Sequence, residues 1–558
     1  MIEATTSPRT GASVLLEILA SEGVEYVFGN PGTTELPLID AMLSTPDIRY
    51  VLALQEASAV AMADGYAQAA RRPGFLNLHT SGGLGHGMGN LLNASISQTP
   101  LVVTAGQQDS RHAITDPLLF GDLVSIADPA VKWAREVATT DQLPVLLRRA
   151  FKDARATPTG PVFLSLPMDV LDTVTDVAIP PPSTIDRRSV AGSLDALAER
   201  LAAYAPGRLA IIAGDEIYGS DAAPEVVAVA EALGTPVYGS SWPSRIPFPT
   251  AHPLWSGNLP ANARQIAEQL QAYDAVFALG GKSLITIIYT PGPAVPPGCA
   301  VFQMSSDVRD LGRTYPTDLA VVGDIKASLA ALLPALRAAI PSGAPAADAL
   351  ERASARRRAQ RGALASAAAA QCSEPVITPL VAAEQTVRAI GPSVAIVDEA
   401  IATSRHVRGF LASASPTQYS FLRGGALGWG MPSAVGCSLG LGRAPVVCLV
   451  GDGAALYSPQ ALWTAAYERL PVTFVVMNNR EYNVLKNYLR AQSGSASARS
   501  DRFIAMDIDR PPIDFLALAQ AMGVPARRVT VASEIADAVE AGIASRLPNL
   551  IEIVIRPE

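Results

Sequence analysis

The stretch VGDGAALYSPQALWTAAYERLPVTFVVMNNREYNVL, Val450 to Leu485, decides the fold. An apolar run from Ala444 to Val450 leads into it. That run is short, rich in Val and bounded by Gly, so it reads as a strand buried on both faces. Gly451, Asp452 and Gly453 stand at its carboxyl end. Ala461 to Tyr467 reads as a helix, and Pro471 marks a break. Val472 to Met477 is a second buried strand, ending in Asn478 and Asn479. Asp452 and Asn479 therefore stand at the carboxyl ends of two strands joined by a crossover helix. Open α/β sheets hold their ligands in that crevice. The residue types suit a hard divalent cation, with an anionic oxygen from Asp452, a neutral one from Asn479 and a third from a nearby backbone carbonyl. Gly453 lets backbone N–H groups approach a phosphate. Alone, Asp-Gly is first of all a turn dipeptide. The full order of strand, GDG, helix, strand and NN is far more specific.

That order resembles the diphosphate-binding motif of thiamine-diphosphate enzymes. The resemblance implies Mg²⁺ on Asp452, Asn479 and the Glu481 carbonyl, and thiamine diphosphate held among Gly451, Asp452, Gly453, Ala454 and Tyr482.

At 558 residues the chain exceeds one hydrophobic core, and about three domains is the natural expectation. Strands and helices alternate from Val24 to Thr104, the pattern of a parallel sheet covered on both faces. A Pro-rich linker spans Pro180 to Arg188. A second α/β unit follows, ending near Pro334. A connector rich in Ala, Arg and Ser runs from Ser342 to Ser373. The predicted fold is therefore three doubly wound α/β domains of the thiamine-diphosphate decarboxylase type, at residues 1–180, 190–340 and 375–558. The first and third look alike in layout.

Net charge is −8, which recommends no nucleic acid partner. The Cys residues (Cys299, Cys372, Cys437 and Cys448) form no CxxC or metal spacing, which fits a reducing cytoplasm. The N-terminus lacks a basic-then-apolar leader pattern, and no apolar run reaches the length of a membrane span.

Glu56 follows an apolar strand and opens an apolar helix. By default such a residue is solvated and favoured at a helix N-terminus. In an apolar crevice, desolvation would favour its neutral, proton-donating form. Thiamine enzymes carry such a Glu, which protonates N1′ of the pyrimidine. The segments VFGNPGTTELP (27–37), LALQEA (52–57), NLH (77–79) and VTAGQQ (103–108) are similar to those of benzoylformate decarboxylases, as are PFPT (247–250) and ALWTAA (461–466). The similarity spans all three domains. It places a catalytic His at His79, where an imidazole at a strand's carboxyl end suits acid/base work. It places Thr33 where those decarboxylases hold the substrate carboxylate with a Ser. A Thr hydroxyl still donates, though its methyl narrows the site.

One position departs from that pattern. The second active-site His of those decarboxylases aligns with Ile287, which cannot deliver a proton. This supports the alternative of an acetolactate-synthase-like carboligase or C–C lyase on the same scaffold, which the His79 segment opposes. Some such carboligases hold a flavin in the middle domain, but no segment here demands one. The resemblance further implies that the Gly425 carbonyl accepts from the 4′-amino group and that Leu427 wedges between the cofactor rings. It places Val484, Leu485 and Tyr488 with Ile287 in the substrate pocket, although alone they read as core. His86 and His406 have no counterpart in the pattern, and His406 reads as structural. The expected activity is decarboxylation of a small-molecule 2-oxo acid to CO₂ and an aldehyde. Because Glu56 and Asp452 come from opposite subunits in such enzymes, the expected minimal unit is a homodimer, within a homotetramer.

Overall fold

Three six-stranded sheets, every neighbouring pair parallel, carry the chain. A computed structural model describes residues 9–341, 346–492 and 494–558. The first sheet runs in the order Arg49–Leu52, Tyr26–Gly29, Gly74–His79, Leu101–Gln107, Val162–Pro167, Ala134–Glu136. The third runs Tyr419–Phe421, Ala395–Glu399, Val446–Gly451, Val472–Asn478, Asn549–Val554, Ala526–Val529. In chain order within each unit these two patterns are identical. The middle sheet differs, with its first strand, Leu209–Ala213, between Val237–Gly239 and Ala275–Leu279. The central strands are mostly apolar and largely buried on both faces, which is why their runs read so plainly in the sequence.

In the first and third sheets the strand order reverses beside the first strand. Residues just past the carboxyl ends there face a crevice between diverging loops. In the first sheet those ends carry Gly29 and His79. In the third they carry Glu399 and Gly451, with Glu399 opposite Val450 in the ladder.

The first and third units share one apolar core. Helix Glu56–Ala70 packs on helix Gly430–Gly440 with backbones in close approach. A Cβ on Gly436 would lie 1.8 Å from the Met62 carbonyl oxygen, and one on Gly65 would lie 2.1 Å from that of Ser433. Asp64, fully buried in this seam, accepts from Trp429 Nε1 and Gln68 Nε2, each at 2.7 Å. The middle unit joins the third through an ion pair of Asp215 with Arg423 and through Trp242 Nε1 donating to the Leu422 carbonyl at 3.0 Å.

The helix Ile325–Ala339 runs through Pro334. Leu329, Leu332 and Leu336 are buried and carry it through. Pro334 lies on the exposed face, where the carbonyl it deprives of a donor is left to water. The connector forms one helix, Ala346–Gln371, against Pro379–Ile390 and Ala223–Leu233. Ser342 to Pro345, also expected in that connector, lie outside the described residues. Among the described residues no helix is long and apolar enough to cross a membrane.

Candidate active site

His79 ends its strand and caps helix Thr80–Ile96. Its Nδ1 lies 2.8 Å from Glu35 Oε2 and 3.1 Å from Thr34 Oγ1. Glu35 is fully buried. It also accepts from Gly32 N at 2.8 Å and from the Thr34 hydroxyl at 2.7 Å. Facing a carboxylate oxygen, Nδ1 carries a proton, which leaves Nε2 as the ring's exchangeable nitrogen. Two glycines make the arrangement sterically possible. A Cβ on Gly32 would meet His79 Nδ1 at 2.3 Å, and one on Gly106 would meet Glu35 Oε1 at 2.0 Å. Sequence reasoning named His79 and Thr33 here but missed Glu35 and Thr34. Thr33 itself is exposed on the same short turn of helix, Thr33–Glu35.

Glu56 opens helix Glu56–Ala70, which Gln55 caps by accepting from Ser58 N at 3.0 Å. Its carboxylate is buried and lies against Gly83, where a Cβ would meet Oε1 at 3.1 Å. Asn30 Nδ2 donates to Oε1 at 3.5 Å, and His86 Nδ1 lies 3.2 Å from Oε2. The Tyr50 hydroxyl is held far above its ordinary pKa, first by burial and then by the charges of Glu35 and Glu56. It is therefore neutral wherever the protein is folded.

Asp452 stands at the carboxyl end of its strand and is only 4% exposed. It accepts backbone N–H groups from Gly453 at 2.9 Å and Arg480 at 2.6 Å. Among the described residues no Lys, Arg or His pairs with it. Burial pushes its carboxyl up to about 6 in spite of those two donors. Asn479 follows the neighbouring strand, its Oδ1 accepting from Glu481 N at 3.1 Å. Asn478 is tied away to Glu552 Oε1 at 2.6 Å. The Glu481 carboxylate is engaged by Lys486 and by Asn483 Nδ2 (2.9 Å), so any ligation by this residue falls to its carbonyl. Gly453 faces the Tyr482 ring, where a Cβ would meet Cε1 at 2.6 Å.

The loop from Leu422 to Trp429 runs beside helix Thr80–Ile96. Asn93 donates to the Ala426 carbonyl at 2.8 Å and accepts from Ala426 N at 3.1 Å. Gly425 has φ +82° with open space over its α-carbon, a conformation and clearance that glycine supplies. Leu427 is half-buried beside it. Glu399, unremarked in the sequence beyond its place before His406, locks the loop's far end. It accepts from Gly428 N (2.7 Å), Trp429 N (3.2 Å) and Gly430 N (2.6 Å). Burial nonetheless pushes its carboxyl up to about 7. A folded value above the unfolded one means that its stabilising share is full at low pH. That share is lost as pH rises from the ordinary Glu range through about 7. Glu399→Gln turns an N–H₂ towards one of three backbone donors. It should lower stability at pH 6 by about 1–3 kcal/mol and flatten the pH dependence between 5 and 7. Thermal denaturation of both proteins across that range checks this, and parallel curves would contradict it.

Ile287, Val484, Leu485 and Tyr488 are all exposed, so one chain does not close a pocket over them. Ile287 sits on a loop whose N–H bonds the Ala261 carbonyl at 3.1 Å. His406 lies on helix Ser404–Phe410 and pairs with Glu558 at 2.9 Å, a structural contact. A cavity of about 480 Å³ between the first and middle units is lined by Arg71, Arg155, Arg245 and neighbours, and none of Glu56, His79 or Asp452 reaches it. Buried carboxylates and the His79 imidazole lie instead at or just past the carboxyl ends of strands in the first and third sheets.

Models of the thiamine pyrophosphate enzyme N-terminal, central and C-terminal domains match residues 9–118, 194–332 and 403–553. Benzoylformate decarboxylase of Pseudomonas aeruginosa is 34% identical over 98% of both chains. The chain belongs to the thiamine-pyrophosphate enzymes. Among members of this family, acetolactate synthase isozyme 3 large subunit of Escherichia coli is 25% identical, over 92% of this chain and 88% of its own. The solved 4-hydroxybenzoylformate decarboxylase of Rhodococcus jostii superposes with a TM-score of 0.86 at 28% identity, over 99% of this chain and all of its own.

The residues present fit the family's cofactor chemistry. Asp452 is a buried carboxylate that, among the described residues, pairs with no cationic side chain, and Gly453 keeps the backbone beside it free of a side chain. Among the described residues no cluster of three or more His, Cys, Asp or Glu could hold a metal. A cation here would therefore rest on one carboxylate and neutral oxygens, a donor set suited to Mg²⁺.

Proposed function

We propose that the protein is a thiamine-diphosphate- and Mg²⁺-dependent decarboxylase of a 2-oxo acid, of the benzoylformate type, releasing CO₂ and an aldehyde. The observation that carries this reading is the His79 imidazole, fixed by buried Glu35 at the switch point of the first sheet. Bound thiamine diphosphate supplies the nucleophilic carbon and takes up the electrons left when CO₂ departs. Asp452, Asn479 and the Glu481 carbonyl would hold Mg²⁺, and Gly451, Gly453, Ala454 and Tyr482 would hold the diphosphate. Glu56 would exchange a proton with the pyrimidine. The Gly425 carbonyl would accept from the 4′-amino group, and Leu427 would pack between the rings. The Thr33 hydroxyl holds the substrate carboxylate. His79, through Nε2, returns a proton to the carbon that lost CO₂.

The exposed faces of Ile287, Val484, Leu485 and Tyr488 support a pocket closed by a second copy, with a homodimer as the minimal unit.

A carboligase reading draws on one observation, the apolar side chain at Ile287 where a second imidazole is expected.

With one aromatic 2-oxo acid, His79→Ala should lower aldehyde release on the order of 10²-fold, the usual worth of a general acid/base. Ile287→His should shift products from acyloin towards free aldehyde. The acyloin-to-aldehyde ratio of the wild type and both variants decides between the readings. Normal aldehyde release by His79→Ala would put the carboligase ahead.

A further inference from the structure

His86 lies about two turns beyond His79 on helix Thr80–Ile96, on the same face. Its Nδ1 is 3.2 Å from Glu56 Oε2. The exposures are opposed, with the His86 side chain 67% exposed and that of Glu56 only 11%. Among the described residues no hydrogen bond reaches His86 Nε2, which is therefore open to water. Gly82 and Gly85 nearby have nothing within 4 Å of an added Cβ, so the approach is roomy.

We infer that His86 is a positioning and proton-exchange residue for Glu56, linking its buried carboxyl to solvent. This rests on the reading of Glu56 as the group that exchanges a proton with the cofactor pyrimidine. Such a carboxyl must be protonated and ionised in turn, yet its own surface meets little water. The other groups that face it do not connect it to bulk. Asn30 donates to Oε1 but does not titrate. Tyr50 is buried and held neutral. Glu35 is committed to His79, Thr34 and Gly32, and the His79 Nδ1 is committed to Glu35. His86 alone combines contact with Oε2 and an exposed second nitrogen. When Glu56 gives up its proton, Nδ1 takes it and Nε2–H releases one to water. In the opposite direction Nε2 takes a proton from water and Nδ1–H passes one to Oε2. The competing explanation is an incidental surface hydrogen bond.

Two measurements separate these explanations. The first uses the apo-protein, where ring NMR resolves the chain's 5 His. Glu56→Gln should move the ring resonances of His86 and leave those of His112, His252 and His406 in place. Unmoved His86 resonances overturn the contact. The second follows hydrogen–deuterium exchange at C2 of bound thiamine diphosphate. His86→Gln keeps a hydrogen-bonding side chain without a titrating one. It should retain cofactor, slow exchange about 10-fold at low buffer, and recover as imidazole buffer is raised; outer partners act on this scale. Exchange at the wild-type rate at every buffer concentration overturns the inference. If Glu56→Gln slows exchange while His86→Gln leaves it at the wild-type rate at every buffer concentration, the Glu56 reading survives and the His86 role fails. If the wild type does not accelerate exchange over free cofactor, the Glu56 reading itself fails.

Discussion

Asp452→Ala should lose metal-dependent binding of thiamine diphosphate while keeping the fold. The expected loss is about 10²-fold or more in affinity, since removing one member of a buried charge cluster costs about 2–5 kcal/mol. The carboxylate is buried, accepts backbone N–H groups from Gly453 and Arg480 and, among the described residues, pairs with no cationic side chain, so a cation from outside the chain would meet its charge. Without it, the cation loses its one anionic protein oxygen and the diphosphate charge goes uncompensated. The same burial sets a pH dependence. A carboxyl pushed up to about 6 binds its proton in competition with metal, so Mg²⁺ affinity should fall about tenfold per pH unit below that point. Titration of cofactor into apo-protein with Mg²⁺, with near-UV circular dichroism as the fold control, measures both effects. Wild-type affinity in the variant would remove Asp452 from the metal site.

Much of the architecture was legible because parallel strands buried on both faces leave uninterrupted Val-, Ile- and Leu-rich runs. The end of such a run marks the crevice, which is how Asp452, Asn479 and His79 could be placed without coordinates. Glu35 and Thr34 were not legible. They lie in an irregular turn with no period, and only the glycines at 32 and 106 bring them to the imidazole. Glu399 did carry a faint signal, an acidic residue closing the apolar strand Ala395–Glu399 ahead of a Gly-rich loop. The His86 contact had one too, since His79 and His86 repeat at a helical interval on one face. The helix can run through Pro334 because a proline on a water-facing side costs less than one in the core. Ile287, Val484, Leu485 and Tyr488 are apolar yet exposed, so what covers them is not encoded in one chain's own packing.

Glu56→Gln should hold cofactor nearly as well as the wild type and activate it on the order of 10²–10⁴-fold more slowly. The two side chains are almost the same size, so the contacts to Asn30 and Gly83 survive, and the buried helix start is undisturbed. What is lost is a proton that can be given and recovered, because an amide does neither at neutral pH. The measurement is C2 hydrogen–deuterium exchange of bound thiamine diphosphate, and an unchanged rate would refute the assignment. The same variant tests the assembly. If Glu56 of one copy serves the cofactor held by Asp452 of another, inactive Glu56→Gln and inactive Asp452→Ala proteins have complementary defects. Hybrid dimers formed by subunit exchange then contain one site with both defects and one with neither. Mixing should restore up to about a quarter of wild-type activity, since random pairing makes half the dimers hybrid and each hybrid has one intact site of two. Sites built within single chains would give no recovery, because each hybrid site would keep its own defect. A fully active monomer in sedimentation would rule out the shared site by itself.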